Sequence, residues 1–273
     1  MLILPATPIG NLSDAAARLI EQLTNAKYIA AEETRNLLKL AQGLNIKLSA
    51  KLFSLHEHNE SDRISEILRI AETEDVLVVS DAGMPTISDP GFVLVRAAVN
   101  AGIPVTVIPG PSAVISALAV SGLPTDSFSF EGFIPRKSGE REKFFKSLAN
   151  ETRTMIFFES AHRVAESLRS AAAILGPRQA SVSRELTKKF EETVRGTLPE
   201  LADWATVEPK GELVICIAGN TAGRAIDLSE LIEIVEALRT SGNSLKDAVA
   251  KVAELAGVSK SQLYDQTIAS RAE

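Results

Sequence analysis

Two carboxylates and two hydroxyls, Asp81, Thr86, Ser88 and Asp89, fall within Asp81-Ala-Gly-Met-Pro-Thr-Ile-Ser-Asp-Pro-Gly91, directly behind the apolar run Val76-Leu-Val-Val-Ser80. Carboxylates set among glycine and proline can accept a proton or face a cation, and backbone N–H groups around Gly83 can hold a polar ligand. The plainer alternative is a turn whose Asp and Ser cap the next helix. A second chemistry-bearing stretch is His56-Glu-His-Asn-Glu60. His56 and His58, two apart at a strand end, can share a face and bind a metal with Glu57 or Glu60. No third ligand follows at a defined spacing, so the stretch reads better as the polar rim of a cleft, with no metal. Ala6-Thr-Pro-Ile-Gly-Asn-Leu-Ser-Asp14, Glu32-Glu-Thr-Arg35 and Pro109-Gly-Pro-Ser-Ala113 complete the set.

These loops need a frame. Residues 2–4, 28–31, 52–55, 76–79 and 105–108 are short apolar runs that read as strands. Helical patterns over 14–23, 34–42, 61–71 (capped by Ser61 or Asp62), 92–101 and 114–120 follow them in turn. Runs without a polar face are buried on both sides, and the alternation predicts a mainly parallel sheet with helices on both faces. In such a sheet all five loops leave one edge and converge on one cleft. Ser121-Gly-Leu-Pro-Thr125 breaks the pattern and marks the expected boundary of a second α/β domain over 121–222. Strands are expected there at 128–133, 154–158, 180–183, 192–196 and 213–218, some of them antiparallel, with a helix over 165–175 closed by Gly176-Pro177. From 223 to 273 the chain turns to short helices at 228–238, 244–255 and 259–270, the last two resembling a helix-turn-helix. Residues 221–273 hold six basic and eight acidic side chains, which favours a packing or docking appendix over a major-groove reader.

Composition narrows the function. The 273 residues are 45% hydrophobic and 23% charged, as in a soluble globular protein. No apolar run approaches the ~20 residues needed to cross a bilayer. Met1-Leu-Ile-Leu-Pro5 lacks a basic leader and reads as a first strand. The single Cys216, inside an apolar run, points to a reducing compartment and a cytoplasmic protein. A net charge of −6 excludes a general phosphate binder. Against that background, Arg136-Lys-Ser-Gly-Glu-Arg-Glu-Lys-Phe-Phe-Lys146 carries five basic and two acidic residues, either a solvated helix face or a local grip on nucleic acid. No dinucleotide glycine fingerprint, phosphate loop or nucleophile elbow is present.

The loops together resemble one family. Ala6-Thr-Pro-Ile-Gly-Asn-Leu, Glu32-Glu-Thr-Arg35, His56-Glu-His-Asn-Glu60, Ser80 to Gly91 and Pro109-Gly-Pro-Ser-Ala113 carry the likeness in order. So do Gly122-Leu-Pro-Thr-Asp126, Glu131-Gly-Phe-Ile-Pro-Arg-Lys137, Glu159-Ser-Ala-His-Arg163 and Ser183-Arg-Glu-Leu-Thr-Lys188. The chain is similar over about residues 1–220 to the bacterial small-subunit ribosomal RNA cytidine-2′-O-methyltransferases of the tetrapyrrole methylase superfamily. Met84 stands where Thr is expected and Ala161 where Pro is common. The resemblance implies two α/β domains with S-adenosylmethionine between them, a small helical extension, and a homodimer acting on the small ribosomal subunit.

Carried over, cofactor contacts fall on Pro8, on Asp81, Ala82, Gly83, Pro85, Ile87 and Ser88, and on Ser112 and Ala113. The second domain adds Phe158, Glu159 and Ser160, then Gly211, Glu212 and Leu213. A ribose hydroxyl is a poor nucleophile, so a base is expected, with Asp81, Glu32, Glu159 and His58 as candidates in that order. Arg35, Arg163 and Arg184 are expected as clamps on phosphate or carboxylate. Arg136, Lys137, Arg141, Lys143 and Lys146 are expected to grip RNA backbone. Two alternatives remain: methylation of a tetrapyrrole or other small molecule on the same fold, and a non-enzymatic ribosome-binding protein.

Overall fold

The computed structural model describes residues 1–55, 60–207, 209–220, 228–256 and 258–270. It divides into two compact units, Met1–Asn220 and Thr221–Glu273. The first unit opens with β1 (Leu2–Pro5), a single 3-10 turn (Leu12–Asp14), α1 (Ala17–Asn25), β2 (Tyr28–Ala31) and α2 (Thr34–Gly43). It continues through β3 (Lys51–Ser54), α3 (Glu60–Ala71), β4 (Val76–Val79), α4 (Phe92–Asn100), β5 (Val105–Ile108) and α5 (Ala113–Ser121). The first helix starts three residues later than its periodicity suggests. The Asn11 side chain accepts from the Ser13 N–H and spends the polar residues on the 3-10 turn. Helix α3 begins at Glu60, one residue before its expected start.

The five strands pair in the order β3-β2-β4-β1-β5, every neighbour parallel. One face packs Leu19 and Leu23 of α1 and Leu37 of α2. The other packs Ile67 of α3 with Leu94 and Ala98 of α4. The order matters for the site. From β1 the chain crosses one way, through α1 to β2; from β4 it crosses the other way, through α4 to β5. A crevice therefore opens between the carboxyl ends of β1 and β4, the switch point where open α/β sheets take their ligands.

The second sheet holds β6 (Phe128–Phe133), β7 (Thr154–Ser160), β8 (Gln179–Arg184), β9 (Glu192–Thr197) and β10 (Glu212–Ile217). Its order is β6-β7-β10-β8-β9; β6 and β7 are parallel and the remaining pairs antiparallel. Between the strands lie α6 (Ser138–Ser147), α7 (Val164–Leu175) and α8 (Leu198–Trp204). The sequence reading lacks α8, although its start is a capping box. Thr197 accepts from the Glu200 N–H while the Glu200 carboxylate accepts from the Thr197 N–H. The almost wholly apolar α5 packs on the second sheet, not the first. It joins Ile9 and Leu186 in a core that binds the two halves together.

The second unit contains α9 (Leu228–Thr240), α10 (Leu245–Ala256) and α11 (Lys260–Ala269) around a small core of Val235, Val249, Val252 and Leu263. No helix among the described residues is long and apolar enough to cross a membrane.

Candidate active site

The loop after β1 is tied to the loop after β4 by backbone pairing. The Thr7 N–H donates to the Gly83 carbonyl at 2.8 Å and the Gly83 N–H to the Thr7 carbonyl at 3.1 Å. Gly83 has φ +79°, a conformation that glycine alone adopts without strain. Beyond it the β4 loop passes through Thr86 at φ +75° and Ser88 at φ +64° before reaching Gly91 at +112°. Non-glycine residues held there cost on the order of 1 kcal/mol each and persist where the surroundings dictate the chain path.

This loop forms one wall of a cavity of about 380 Å³ between the two sheets. Ala82, Gly83, Met84, Ile87 and Asp89 come from it, Ile9 from the β1 loop, and Ser112, Ala113 and Val114 from the start of α5. The second sheet closes it with Phe133, with Phe158 to Ser160 at the end of β7, with Leu186, and with Gly211 to Val214 entering β10. Phe133 is 60% exposed and packs edge-on against Phe158, with ring centroids 5.4 Å apart. A register shift between β6 and β7 at Phe130–Phe133 re-aims it. Gly211 has φ +99°, and a Cβ there would run into the Glu185 carboxylate.

The carboxylates differ sharply in what surrounds them. Glu159, on β7, has a side chain with 0% exposure. Its Oε1 accepts from the Ser160 N–H at 2.7 Å, and its Oε2 accepts from Arg163 at 2.9 Å and from the Ser167 hydroxyl at 2.5 Å. Glu212 accepts from Lys188 at 3.0 Å and is otherwise turned to solvent. Asp89 is half-buried on the cavity wall. Burial, with Glu32 and Asp81 close by, pushes its carboxyl up to about 7, against a hydrogen bond from Ser80 that pulls the other way. Asp81 is exposed; its Oδ2 accepts from Asn36 at 2.7 Å, and its N–H donates to Glu32 at 3.1 Å.

Of the residues expected at the cofactor, eleven of fifteen line the cavity: Ala82, Gly83, Ile87, Ser112, Ala113, Phe158 to Ser160 and Gly211 to Leu213. Pro8 and Pro85 are buried behind the wall, while Asp81 and Ser88 lie outside it on the exposed side of their loop. Among the candidate bases, Glu159 lines the cavity with its side chain enclosed and paired with Arg163. His58 lies outside the described residues, as does the rest of 56–59. Glu32 touches the Asp81 backbone and does not line the cavity.

Among the expected cationic residues, Arg141 is corrected, while Arg163 and Arg184 are found on carboxylates of this chain. Arg141 is 1% exposed, because its position four before Phe145 turns it into the second core. There it donates to Ser170 at 2.9 Å and Glu166 at 2.5 Å. Arg163 donates to Glu159 and to the Ile134 carbonyl, and Arg184 to Glu192 at 2.6 Å. Arg35, Arg136, Lys137, Lys143 and Lys146 are exposed. Ile9, Met84, Asp89, Val114, Phe133, Leu186 and Val214 are wall residues that sequence reasoning did not assign to the site. Asp89 had a visible signal as the second carboxylate of its loop. Phe133 had one in the Gly132 beside it, at φ +72°.

The cavity fits an adenosine-bearing sulfonium. Its volume and mainly apolar walls suit a ligand of that size, the positive-φ glycines permit close backbone approach, and carboxylates stand ready to face a cation. Among the described residues, no group of three or more His, Cys, Asp and Glu is arranged to hold a metal ion.

Comparison with known proteins agrees with this geometry. The family model of tetrapyrrole (corrin/porphyrin) methylases matches residues 1–202. Ribosomal RNA small subunit methyltransferase I of Mycobacterium tuberculosis (strain CDC 1551 / Oshkosh) is 47% identical over 275 residues, covering 100% of this chain and 96% of that protein. Among solved structures, the methyltransferase CobJ superposes with a TM-score of 0.60 at 19% identity, over 81% of this chain and 94% of its own. Uroporphyrin-III C-methyl transferase from Thermus thermophilus, complexed with S-adenyl homocysteine, gives 0.54 at 18% identity, over 79% and 95%.

Proposed function

The chain belongs to the tetrapyrrole methylase family, and we propose that it methylates the 2′-hydroxyl of a cytidine ribose in small-subunit ribosomal RNA, using S-adenosylmethionine. The observation that carries this reading is 47% identity, across the whole chain, to a methyltransferase named for that RNA. The structure adds local support. An exposed aromatic ring, Phe133, stands at the cavity mouth, and exposed Arg136 and Lys137 follow it directly. Single-stranded RNA is read by splayed bases stacked on such rings, with cations along the backbone.

Ala82, Gly83, Ser112, Ala113 and Gly211 would hold the cofactor, and Ile9, Val114, Leu186 and Val214 would keep water away from it. When bound, S-adenosylmethionine supplies an already activated methyl group, so the protein's main task is alignment. The attacking hydroxyl must also lose a proton to a carboxylate of the wall.

The enzyme works in the cytoplasm, consistent with its one cysteine being a free, buried thiol. It works as a homodimer, supported by exposed Phe92 and Val99 on α4 and exposed Val107 on the edge strand β5.

The test is methyl transfer from labelled S-adenosylmethionine to unmodified small subunits, free ribosomal RNA and a tetrapyrrole precursor, followed by alkaline hydrolysis. A 2′-O-methyl blocks cleavage of the adjacent phosphate, so the expected product is a labelled, alkali-resistant dinucleotide from the subunits. Label in mononucleotides would place the methyl on a base, and label only in the tetrapyrrole would overturn the RNA reading. Sedimentation at micromolar concentration checks the dimer.

A further inference from the structure

The proposed reaction needs a proton acceptor, and three carboxylate residues line the cavity: Asp89, Glu159 and Glu212. Glu159 is fully enclosed, with both oxygens engaged by Ser160, Arg163 and Ser167. Glu212 is held at the rim by Lys188 and points outward. Asp89 alone combines a place on the wall with a half-buried carboxylate and no cation against it among the described residues.

Its position is built, not incidental. The loop reaches it through left-handed backbone at Thr86 and Ser88 and leaves through Gly91, so the chain path on both sides of it is tightly specified. The groups facing it are the Ser80 hydroxyl, at the end of β4, and the carboxylates of Glu32, after β2, and Asp81, after β4.

Resting on the methyl-transfer reading, we infer that Asp89 is the catalytic base that takes the proton of the ribose 2′-hydroxyl. The hydroxyl oxygen takes the methyl as the carbon–sulfur bond returns its electron pair to sulfur. The proton passes to an Asp89 oxygen, and water removes it before the next turnover. Charge balances: a carboxylate and a sulfonium become a carboxylic acid and a neutral thioether. The carboxyl's rise to about 7 suits this work, since a base is most effective when its pKa lies near the operating pH. Asp81, placed first among candidate bases by sequence, becomes a positioning residue that acts through Asp89.

The experiment compares wild type, Asp89→Asn and Asp81→Asn in single-turnover methylation of small subunits from pH 5.5 to 9. Carbon-13 spectra of aspartate-labelled protein and calorimetric binding of S-adenosylhomocysteine accompany it. Wild type should gain activity through an acidic limb near pH 7, with one aspartate carboxyl titrating there. Asp89→Asn should lose about 10²- to 10⁴-fold in rate and lose both the limb and the resonance, while binding S-adenosylhomocysteine within about twofold. Asp81→Asn should keep the limb but move it to lower pH, because one like charge is gone. A limb that persists in Asp89→Asn, or a rate within about threefold of wild type, would overturn the assignment while leaving RNA methylation intact. Failure of wild type to label RNA would remove the functional reading and the assignment with it.

Discussion

Burial, then the neighbouring charges of Glu32 and Asp81, raise the Asp89 carboxyl to about 7 against a hydrogen bond from Ser80. In the unfolded chain it titrates near 4. From about pH 4 to 7 the native state therefore binds more protons, so stability falls as pH rises across that window and the loss is complete above it. Asp89→Asn removes the penalty. After allowance for solvent screening, it should stabilise the protein by about 1–2 kcal/mol at pH 8 and by much less at pH 5. Urea unfolding at the two pH values checks this, and an equal effect at both would contradict it. Phe133 supplies a second prediction at this scale. Phe133→Ala should raise KM for small subunits about tenfold, the loss of one stacked base, while calorimetric affinity for S-adenosylhomocysteine stays within about twofold. Equal loss in both measurements would mean that the ring holds the cofactor and does not stack a base.

Two elements, β7 and α7, meet through a buried charge pair on the cavity wall. Glu159 stands next to last in β7 with its carboxylate buried, and Arg163, at the cap of α7, closes the pair from a partly exposed position. Removing one partner of a buried pair leaves the other uncompensated. Arg163→Ala should therefore cost about 3 kcal/mol or more, whereas Glu159→Gln, which keeps a hydrogen-bonding side chain of the same shape, should cost less. Chemical unfolding of both variants decides the order, and the reverse order would mean that the Glu159 charge is not compensated as the geometry shows. Helix α6 makes a related point. Its exposed Lys143 and Lys146 and its buried Arg141 belong to one basic run, and only the helical phase separates them. That phase was readable, because Arg141 stands four residues before the fully buried Phe145. Charge counting obscured it.

The whole molecule hides its single thiol. Cys216 lies in β10 at the junction of the two halves, and burial pushes its thiol up to about 12. It should stay unmodified by a maleimide at pH 8 in the native protein and react at once in denaturant. Rapid labelling of the folded protein would show that the two halves part readily. At this scale the first half was the more legible. Runs such as Val76-Leu-Val-Val79 are apolar on both faces, and that pattern is stable only inside a parallel sheet flanked by helices, so its strands are found almost where periodicity puts them. Amphipathic alternation and glycine-proline breaks are local signals that survive without knowledge of distant neighbours.

Contacts between distant segments are not written locally, and the tertiary structure alone decided them. The sheet order β6-β7-β10-β8-β9 and the packing of α5 on the second sheet depend on which surfaces best exclude water together. The same holds for the acids. Asp81, Asp89 and Glu159 are all carboxylates; Asp81 is exposed, Asp89 is half-buried on the cavity wall, and Glu159 stands on the same wall enclosed in a salt bridge. The backbone path and the partner groups brought up by folding determine the environment of each carboxylate, and that environment determines which of them can carry a proton.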